Sequence, residues 1–535
     1  ADDLRARLAR FLAARESNAA AAVYLGQHQR LDKDSSGVVL FSKCRAVNPN
    51  LATQWEGRQV GKHYVAACAA PQWGQRSLQH TLVWRGGRMQ ALPNTRPRSA
   101  QPRGAVEARA HATVRCRQGE RALLDVTLHT GRRHQIRSQL AATGHPIAGD
   151  PLYGRVPAPR LLLHAERLSL RHPRTGAPLS IEAPLPPLFT AWVQGRTADL
   201  YNQPQLLHCC LAHAFERRWA LAHADPGPDG RPTRPESSHT DCFRLVHGAG
   251  DGLPGLDVDK YGDYLVLHLR PPALAHEATI VAALRAPTWR GLYVKRHPHS
   301  EAKRRQHDKD ELAPPAPAWG EATPRPLVVQ EAGIPYAVQP AQGLSPGLFL
   351  DQRENRKRVR ALAAGGRMLN LFCFTGSFTV AAAAGGARET LSVDLSQAAL
   401  RQVGQALTAY PGVHRRWRED AFVALRRAAE RGMRFDVIVA DPPTFARSPA
   451  GVWRSGKQWQ SLCVACLRVL APGGHLLCCS NDEAMQTAQL RRYMTEAAQT
   501  LAVPVTRMRA TEPAVDCPTA IGQKPRLKSV WLTRA

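Results

Sequence analysis

From residue 331 to the C-terminus, short apolar segments alternate with amphipathic ones. The apolar segments are rich in Val, Leu, Ile and Cys, which is typical of strands buried on both faces of a sheet. Strands that alternate with helices predict a Rossmann-like α/β domain built on a doubly wound parallel sheet. The segments are RMLNLFCF, FTVAAAAGG, ETLSVDL, QAALRQVGQAL, FDVIVAD and GGHLLCCS.

The rest of the chain has different periodicities. Short alternating segments such as ALLDVTLH predict antiparallel sheet, and the helix HEATIVAALRA between short strands predicts a small α+β unit. The Pro-, Gly- and Ser-rich stretch HADPGPDGRPTRPESSHT is typical of a linker. We therefore expect a first domain at 1–195, a helix with a linker at 196–240, a small α+β domain at 241–330 and the α/β domain at 331–535.

The chain carries a large positive charge. Its 72 Lys and Arg against 43 Asp and Glu give +29, and residues 1–195 alone hold 25 Arg and 3 Lys against 12 acids. Clustered cations neutralise phosphates and release their counterions, so we expect a nucleic acid partner. The alternative is a drift toward arginine in a GC-rich genome.

Several classes of protein are disfavoured. The sequence has no run of about 18 apolar residues that would span a membrane. Its first residues begin with acids and lack the separate apolar core of a signal peptide. Cys463 and Cys466 lie in QSLCVACLRVL, which predicts a buried helix, and no second pair has zinc spacing. We expect a cytoplasmic protein with no metal and no membrane partner.

Two segments of the first domain carry chemically active residues. In HQRLDKDSSGVVLFSK (28–43), Arg30 and Asp32 precede a turn and an apolar strand, an arrangement that a salt bridge alone could explain. In LHTGRRHQIRSQLAATGHPIAGDPLYG (128–154), a strand ends at a Thr-Gly turn. We expect a short helix there that carries His134 and Arg137 on one side and ends at Gly144.

These segments resemble the RluA-type pseudouridine synthases, whose motifs are R-L-D-x-x-T/S-S-G, T-G-R-x-H-Q-I-R and G-H-P-I-x-G-D-x-x-Y. GKHYVA (61–66) is similar to that family's K-x-Y motif, and RLLLHAERLSLRHPRTG (160–176) to its closing strand pair. The resemblance implies an α+β mixed-sheet domain that isomerises uridine in RNA without a cofactor. The family's first strand has no counterpart here and the chain begins without Met, so we expect an N-terminal strand to be missing.

The resemblance also implies roles for individual residues. Asp32 would be the catalytic aspartate, Tyr64 would stack on the flipped base, and Arg137 would pair with Asp32. A bidentate arginine is well suited to keep a buried carboxylate ionised. Arg30 and His134, from the same motifs, would bind the uridine after it has left its stack.

In the α/β domain, acids recur where successive strands end. Gly376 lies in the loop after the first strand, where the backbone is expected to approach a ligand, and Asp394 follows eighteen residues later. A carboxylate there can accept both ribose hydroxyls of an adenosine. Asp420 suits the adenine amine, and Asp441 ends VIVAD. Each acid alone could cap a helix, but the series predicts a nucleoside cofactor.

Residues 240 to 535 resemble the bacterial 23S rRNA class I methyltransferases of the RlmI and RlmK type. The similar segments are FRLVHGAGDGLPGLDVDKYGDYLVLHL (243–269), GLFLDQRENR (347–356), NLFCFTGSF and DPPTF. The resemblance implies that S-adenosylmethionine is the cofactor and that DPPTF, with a catalytic Asp441, receives the target base. The implied cofactor residues are Phe349, Asp351, Arg353, Phe372, Gly376, Asp394, Asp420 and Asp441, and the implied base-binding residues are Pro442, Pro443, Phe445 and Asn481.

The methylated atom depends on a nucleophile. A cytosine-C5 enzyme needs a cysteine, which the RlmI-like members would place seventh after the glycine pair before strand six. That position is Asn481 here, which favours guanine N7, a reaction that needs no covalent help. Cys479 lies two residues earlier, on the same side of an extended chain, and keeps the C5 alternative open.

The sequence thus predicts a bifunctional RNA-modifying enzyme, with 23S rRNA as the favoured substrate. Two alternatives remain. The target could be tRNA or another structured RNA, or the chain could be a non-catalytic RNA-binding factor in ribosome assembly. The joint presence of Asp32, Tyr64 and Arg137 argues against the second alternative for the first domain.

Overall fold

The structure is a computed structural model that describes residues 4–15, 24–94, 102–218, 221, 239–298, 308–448 and 451–535. No helix in these residues is long and apolar enough to cross a bilayer. The helices are α1 (Leu4–Arg15), α2 (Asn48–Glu56), α3 (Gln135–Ala142), α4 (Pro187–Val193), α5 (Pro204–Arg217), α6 (Glu277–Leu284), α7 (Lys309–Leu312), α8 (Arg353–Leu362), α9 (Ser377–Ala384), α10 (Gln397–Leu407), α11 (Ala421–Glu430), α12 (Ser455–Val469) and α13 (Thr487–Thr500).

The first domain is built on one large mixed sheet with the order β10-β9-β4-β8-β7-β5-β6. All pairs along this path are antiparallel, and the short β2 adds to β9 in parallel, so the predicted mixed sheet is confirmed. The strands are β1 (Gly26–Gln27), β2 (Ser36–Gly37), β3 (Phe41–Ser42), β4 (Gly61–Ala69), β5 (Gln75–Arg85), β6 (Arg88–Pro93), β7 (Val106–Gln118), β8 (Arg121–Leu128), β9 (Leu163–Arg171) and β10 (Pro178–Glu182).

Helix α3 lies against the sheet with Ile136 and Leu140, one helical turn apart, on the side that faces it. Ile136 and Leu140 are buried in one cluster with Leu78 of β5 and Ala112 of β7. Gly144 follows the helix at a φ of +85°, a conformation that suits glycine and ends the helical turn. This packing fixes the start of α3 at the edge of the sheet.

The small α+β unit has a five-stranded sheet with the order β11-β12-β13-β14-β15. Helix α6 connects β13 to β14, which run parallel, and the other neighbours are antiparallel. The strands are β11 (Cys242–His247), β12 (Leu256–Tyr261), β13 (Tyr264–Leu269), β14 (Gly291–Arg296) and β15 (Trp319–Gly320).

The first domain and the small unit share a hydrophobic core. Phe189 and Trp192 of α4 and Leu207 of α5 belong to one buried cluster with Phe243 and Leu265 of the small sheet. The segment predicted as a helix before a linker is therefore part of the core that joins the two units. Most of the predicted linker, residues 223–238, lies outside the described residues.

The C-terminal domain has a seven-stranded sheet with the order β20-β19-β18-β21-β24-β26-β25. Strands β20, β19, β18, β21 and β24 run parallel, and β26 lies antiparallel between β24 and β25. The predicted Rossmann-like fold is confirmed. The strands after residue 321, including the hairpins β16–β17 and β22–β23, are β16 (Leu327–Glu331), β17 (Ile334–Val338), β18 (Arg367–Leu371), β19 (Glu389–Asp394), β20 (Val413–Arg418), β21 (Phe435–Ala440), β22 (Phe445–Ser448), β23 (Gly451–Arg454), β24 (Leu470–Ser480), β25 (Val505–Ala510) and β26 (Lys528–Arg534).

A buried arginine just after α5 links all three units. Arg218 donates two hydrogen bonds to Asp251 of the small unit, at 2.7 and 2.6 Å, and one to the carbonyl of Asp516, at 2.8 Å. The Asp516 carboxylate in turn accepts from Arg353 of α8 at 2.9 Å and from the backbone N–H of Arg244 of β11 at 2.9 Å. All five donors of a guanidinium need partners when it is buried, and this site supplies them from different units.

Removal of the Asp251 carboxylate from this network is expected to lower the free energy of unfolding. Asp251→Ala would leave the fully buried Arg218 without its counter-charge, which typically costs about 3–5 kcal/mol. Urea unfolding followed by tryptophan fluorescence would measure the loss. Glu430→Ala, which removes an exposed ion pair with Arg426, is the control and should cost less than about 1 kcal/mol. Equal midpoints for the two variants would contradict the role given to Arg218.

Two candidate active sites

A first cavity of about 260 Å³ opens between the Arg30–Ser35 loop, β4 and the start of α3. Arg30, Asp32, Tyr64 and His134 all line it, so the structure brings together residues that are up to 104 positions apart in sequence. Arg137 lies directly behind the cavity, with 5% of its side chain exposed.

Two carboxylates share the guanidinium of Arg137. Its Nε and one terminal nitrogen donate to Asp150, each at 2.8 Å. Its other terminal nitrogen lies 3.6 Å from the Asp32 carboxylate. The bidentate partner is thus the fully buried Asp150, and Asp32 completes an Asp-Arg-Asp arrangement. The guanidinium is held in place by Asp150 and presents its remaining donors toward Asp32.

Burial and charge also set the protonation of the cavity wall. Burial, together with the negative charge of Asp32, raises the pKa of Tyr64 to about 12, so its phenol keeps its proton at neutral pH. Burial lowers the pKa of Lys62 and of His134, and the latter imidazole is therefore neutral at pH 7. His134 Nε2 lies 4.0 Å from Asp32 Oδ1.

His134 is positioned by backbone geometry. The sequence places it on the helix, but it is the residue before α3, with a left-handed φ of 50°. The Gln135 side chain accepts from the Thr130 hydroxyl at 2.9 Å and the Arg132 N–H at 3.0 Å, which closes the turn ahead of the helix. The imidazole Nδ1 lies 3.0 Å from the Tyr153 hydroxyl. These contacts aim the ring at the cavity.

A second cavity of about 420 Å³ lies at the carboxyl edge of the seven-stranded sheet. Phe372, Asp394, Asp420, Asp441, Pro442, Pro443 and Asn481 line it, as does Phe349 at its mouth. Among the described residues, every charged side chain in the lining is acidic: Asp394, Glu419, Asp420 and Asp441. Such a lining suits a ligand with hydroxyl or amine donors and a positive charge.

Two of these acids, Asp394 and Asp420, also accept hydrogen bonds from backbone N–H groups. Asp394 ends β19 and accepts from the N–H groups of Phe374 and Ser396, at 2.9 and 2.8 Å. Asp420 is the N-cap of α11 and accepts from the N–H of Phe422 at 2.9 Å. A carboxylate has about four lone-pair directions, so the two bonds to Asp394 leave this acid acceptor capacity for a ligand.

Asp441 follows β21 and is held by a neighbouring amide. Gln352 donates to its carboxylate at 2.9 Å. Burial, together with the charge of Asp351, raises the pKa of Asp441 to about 7. This carboxyl is therefore poised to change protonation near neutral pH, a property found at many functional sites.

Three residues expected in the cofactor site are not among the described residues that line this cavity. Arg353 points to Asp516 in the buried network, and Asp351 lines a separate, narrow crevice. Gly376 is the N-cap of α9 at a φ of +78°, where a Cβ would lie 2.6 Å from Val403. A glycine at this position therefore allows close packing on α10, and the role of Gly376 toward the cofactor stays a prediction. The side chain of Phe445 lies outside what the structure describes, although its backbone begins β22.

Sequence reasoning missed several residues. Asp150 belongs to the G-H-P-I-x-G-D-x-x-Y motif, but only the fold shows that its carboxylate binds Arg137. Glu419, Gln352 and Trp453 line the second cavity. Glu419 directly precedes Asp420, and this neighbouring acid could have indicated its place in the cavity. Gln352 and Trp453 come from a helix and a hairpin, which a pattern of acids at strand ends does not reveal.

Comparison with known families assigns both halves. Residues 5–142 match the family model of RNA pseudouridylate synthases, and residues 315–527 match that of S-adenosylmethionine-dependent methyltransferases. The crystal structure of SMU.776, a proposed methyltransferase complexed with SAH, is 25% identical with a TM-score of 0.53 and covers 62% of this chain and 81% of that chain. The chain thus joins a pseudouridylate synthase domain to a methyltransferase domain whose cofactor is S-adenosylmethionine.

Sequence relatives indicate which family of methyltransferases the chain belongs to. The Klebsiella pneumoniae ribosomal RNA large subunit methyltransferase I is 33% identical over 291 residues, which cover 53% of this chain and 70% of that protein. The Aeromonas hydrophila protein of the same name is 34% identical over 260 residues, or 48% of this chain, and the match spans 65% of its length. The chain belongs to the family of ribosomal RNA large subunit methyltransferases.

Asp394 is expected to control affinity for S-adenosylmethionine. Loss of a bidentate contact with a buried ribose costs roughly 2–4 kcal/mol, so Asp394→Ala should weaken binding about 30- to 1,000-fold. Isothermal titration calorimetry on the full chain measures this directly. Asp394→Asn keeps one acceptor oxygen and should bind with intermediate affinity, and Glu496→Ala on the exposed face of α13 is the control. Unchanged affinity in Asp394→Ala would show that S-adenosylmethionine does not bind at Asp394.

Proposed function

We propose that this chain is a bifunctional RNA-modifying enzyme of the cytoplasm, which isomerises uridine to pseudouridine and methylates a base of 23S rRNA with S-adenosylmethionine. The observation that carries the proposal is the pairing of two different cavities in one chain. One holds Asp32 against a buried arginine, and the other is lined by acids at strand ends. Mass-spectrometric mapping of rRNA from a strain that lacks the gene tests both activities together.

In the first cavity, Asp32 is the catalytic residue. Its carboxylate attacks the uridine or acts on its ribose, so that the C1′–N1 bond breaks and a C1′–C5 bond forms. The C5 proton is then lost, and N1 gains one. Arg137, held in place by Asp150, lies 3.6 Å from this carboxylate and pairs with it. The protonated phenol of Tyr64 can stack on the base and assist the proton movement, and Arg30 and His134 bind the flipped nucleotide.

Removal of the Asp32 carboxylate is expected to abolish isomerisation. Asp32→Asn should reduce tritium release from RNA labelled at uridine C5 by at least about 1,000-fold, with RNA binding retained. Asp34→Asn is the matched control, because Asp34 lies in the same loop but outside the uridine cavity. Tritium release by Asp32→Asn at the parental rate would contradict the proposed pseudouridine synthase activity of the first domain.

In the second cavity, S-adenosylmethionine supplies the methyl group when bound. Asp394 and Asp420 would hold its ribose and adenine, with Phe372 and Phe349 beside them. The target base would lie against Asp441, Pro442 and Pro443, and Asn481 faces the same space. These groups position a base and exclude water from it.

Guanine N7 is the atom that this arrangement supports best. A nitrogen lone pair attacks a methyl sulfonium directly, whereas C5 of cytosine needs a thiolate. Cys479 is fully buried, in one apolar cluster with Val359 and Trp531, and its sulfur contacts the side chains of Ser529 and Gln352 at 3.6 and 3.7 Å. Burial raises the pKa of this thiol well above its usual range, which disfavours the nucleophile.

The two mechanisms differ in whether the enzyme forms a covalent adduct. RNA that contains 5-fluorocytidine traps a C5 enzyme on its cysteine, so we expect no adduct here on denaturing gels or by intact-protein mass spectrometry. The conservative variant Cys479→Ser should also keep methyl transfer from S-adenosylmethionine within a few-fold of the parent. An adduct that disappears in Cys479→Ser would contradict guanine N7 and establish cytosine C5.

A further inference from the structure

One tryptophan of the first domain remains exposed beside the uridine cavity. Trp84 lies near the end of β5, before the Gly86–Gly87 turn of the β5–β6 hairpin, and 44% of it is exposed. Its neighbours on the hairpin, Leu82 and Met89, are buried. Indole is a large apolar ring system that usually packs inside a protein or against a ligand.

The indole lies at the rim of the cavity. Its ring centre is 6.3 Å from that of His134, whose Nε2 is 4.0 Å from Asp32 Oδ1. The guanidinium of Arg133, a residue that lines the cavity, lies 4.2 Å from the indole centre. Trp84 therefore extends the wall of the cavity outward. It contacts the wall through Arg133 and His134 of the T-G-R-x-H motif.

The hairpin is fixed relative to the catalytic residues. Arg88 donates to the Leu152 carbonyl at 2.9 Å, and the N–H of Met89 donates to the Tyr153 hydroxyl at 2.8 Å. The same hydroxyl contacts His134 at 3.0 Å. Tyr153 thus ties the position of the hairpin to that of the imidazole, which gives Trp84 a defined place beside the site.

We propose that Trp84, backed by Arg133, is a stacking subsite for the nucleobase adjacent to the uridine in the cavity. The proposal rests on the proposed pseudouridine synthase function and adds a residue that binds RNA without taking part in the chemistry. An indole face accepts any of the four bases, and the guanidinium can also neutralise a neighbouring phosphate. The subsite would hold the strand while the uridine is flipped.

The test uses full-length Asp32→Asn protein, which does not turn over, and the nine-nucleotide RNA AAAAUAAAA. A 2-aminopurine replaces the adenine directly 5′ of the uridine, directly 3′ of it, or four positions away. Stacking on an indole quenches this fluorophore, so one adjacent position should be quenched on binding and the distant one should not. Trp84→Ala should abolish that quenching and weaken binding about 5- to 150-fold, whereas Trp84→Phe should retain most of both.

Leu152→Ala is the matched control, because Leu152 is 43% exposed beside the turn of the hairpin but offers no aromatic face. Equal fluorescence at adjacent and distant positions, or unchanged quenching and affinity in Trp84→Ala, would overturn the subsite. Failure of the proposed function would look different. The protein with Asp32 intact would then release no tritium from labelled RNA, while the Trp84-dependent quenching would persist.

Discussion

The guanidinium of Arg218 is the contact on which the arrangement of the three units depends. It extends from the end of α5, and its partners Asp251 and Asp516 belong to the small unit and the methyltransferase domain. A charge this deeply buried is tolerated only with complete pairing, so the three segments must meet in one geometry to satisfy it. Arg353 and Arg244 complete the pairing of Asp516 and extend the constraint into α8 and β11.

The two cavities have opposite electrostatic character within one strongly basic chain. The first is lined by cations, including Arg30, Lys62 and Arg133, and Asp32 stands alone among them as the only acid of the described lining. In the second, every charged side chain of the described lining is acidic. These are the opposite demands of the proposed RNA substrate and of a sulfonium cofactor. The fold meets them in different places, at a loop and a helix start in one domain and at parallel strand ends in the other.

Patterns local in sequence predicted the architecture well. Alternation of strands and helices after residue 331 was sufficient for the Rossmann-like domain, because periodicity reports burial directly. The acids Asp394, Asp420 and Asp441 reach one cavity since parallel strands end at a common edge. Long-range partners were not predictable in this way. The bidentate bond between Arg137 and Asp150, and the turn of Arg353 toward Asp516, depend on side-chain directions that only the packed fold decides.

The shared core has a consequence for how such a chain can be divided. Phe189, Trp192 and Leu207 pack against Phe243 and Leu265 across the segment that a composition-based boundary would cut. A break in the 222–238 stretch would yield two polypeptides, each with an apolar face that water would have to cover. Fragments of that kind are expected to self-associate when they are made separately. We therefore expect the two halves to remain soluble as separate chains only if polar residues replace the apolar ones on both faces.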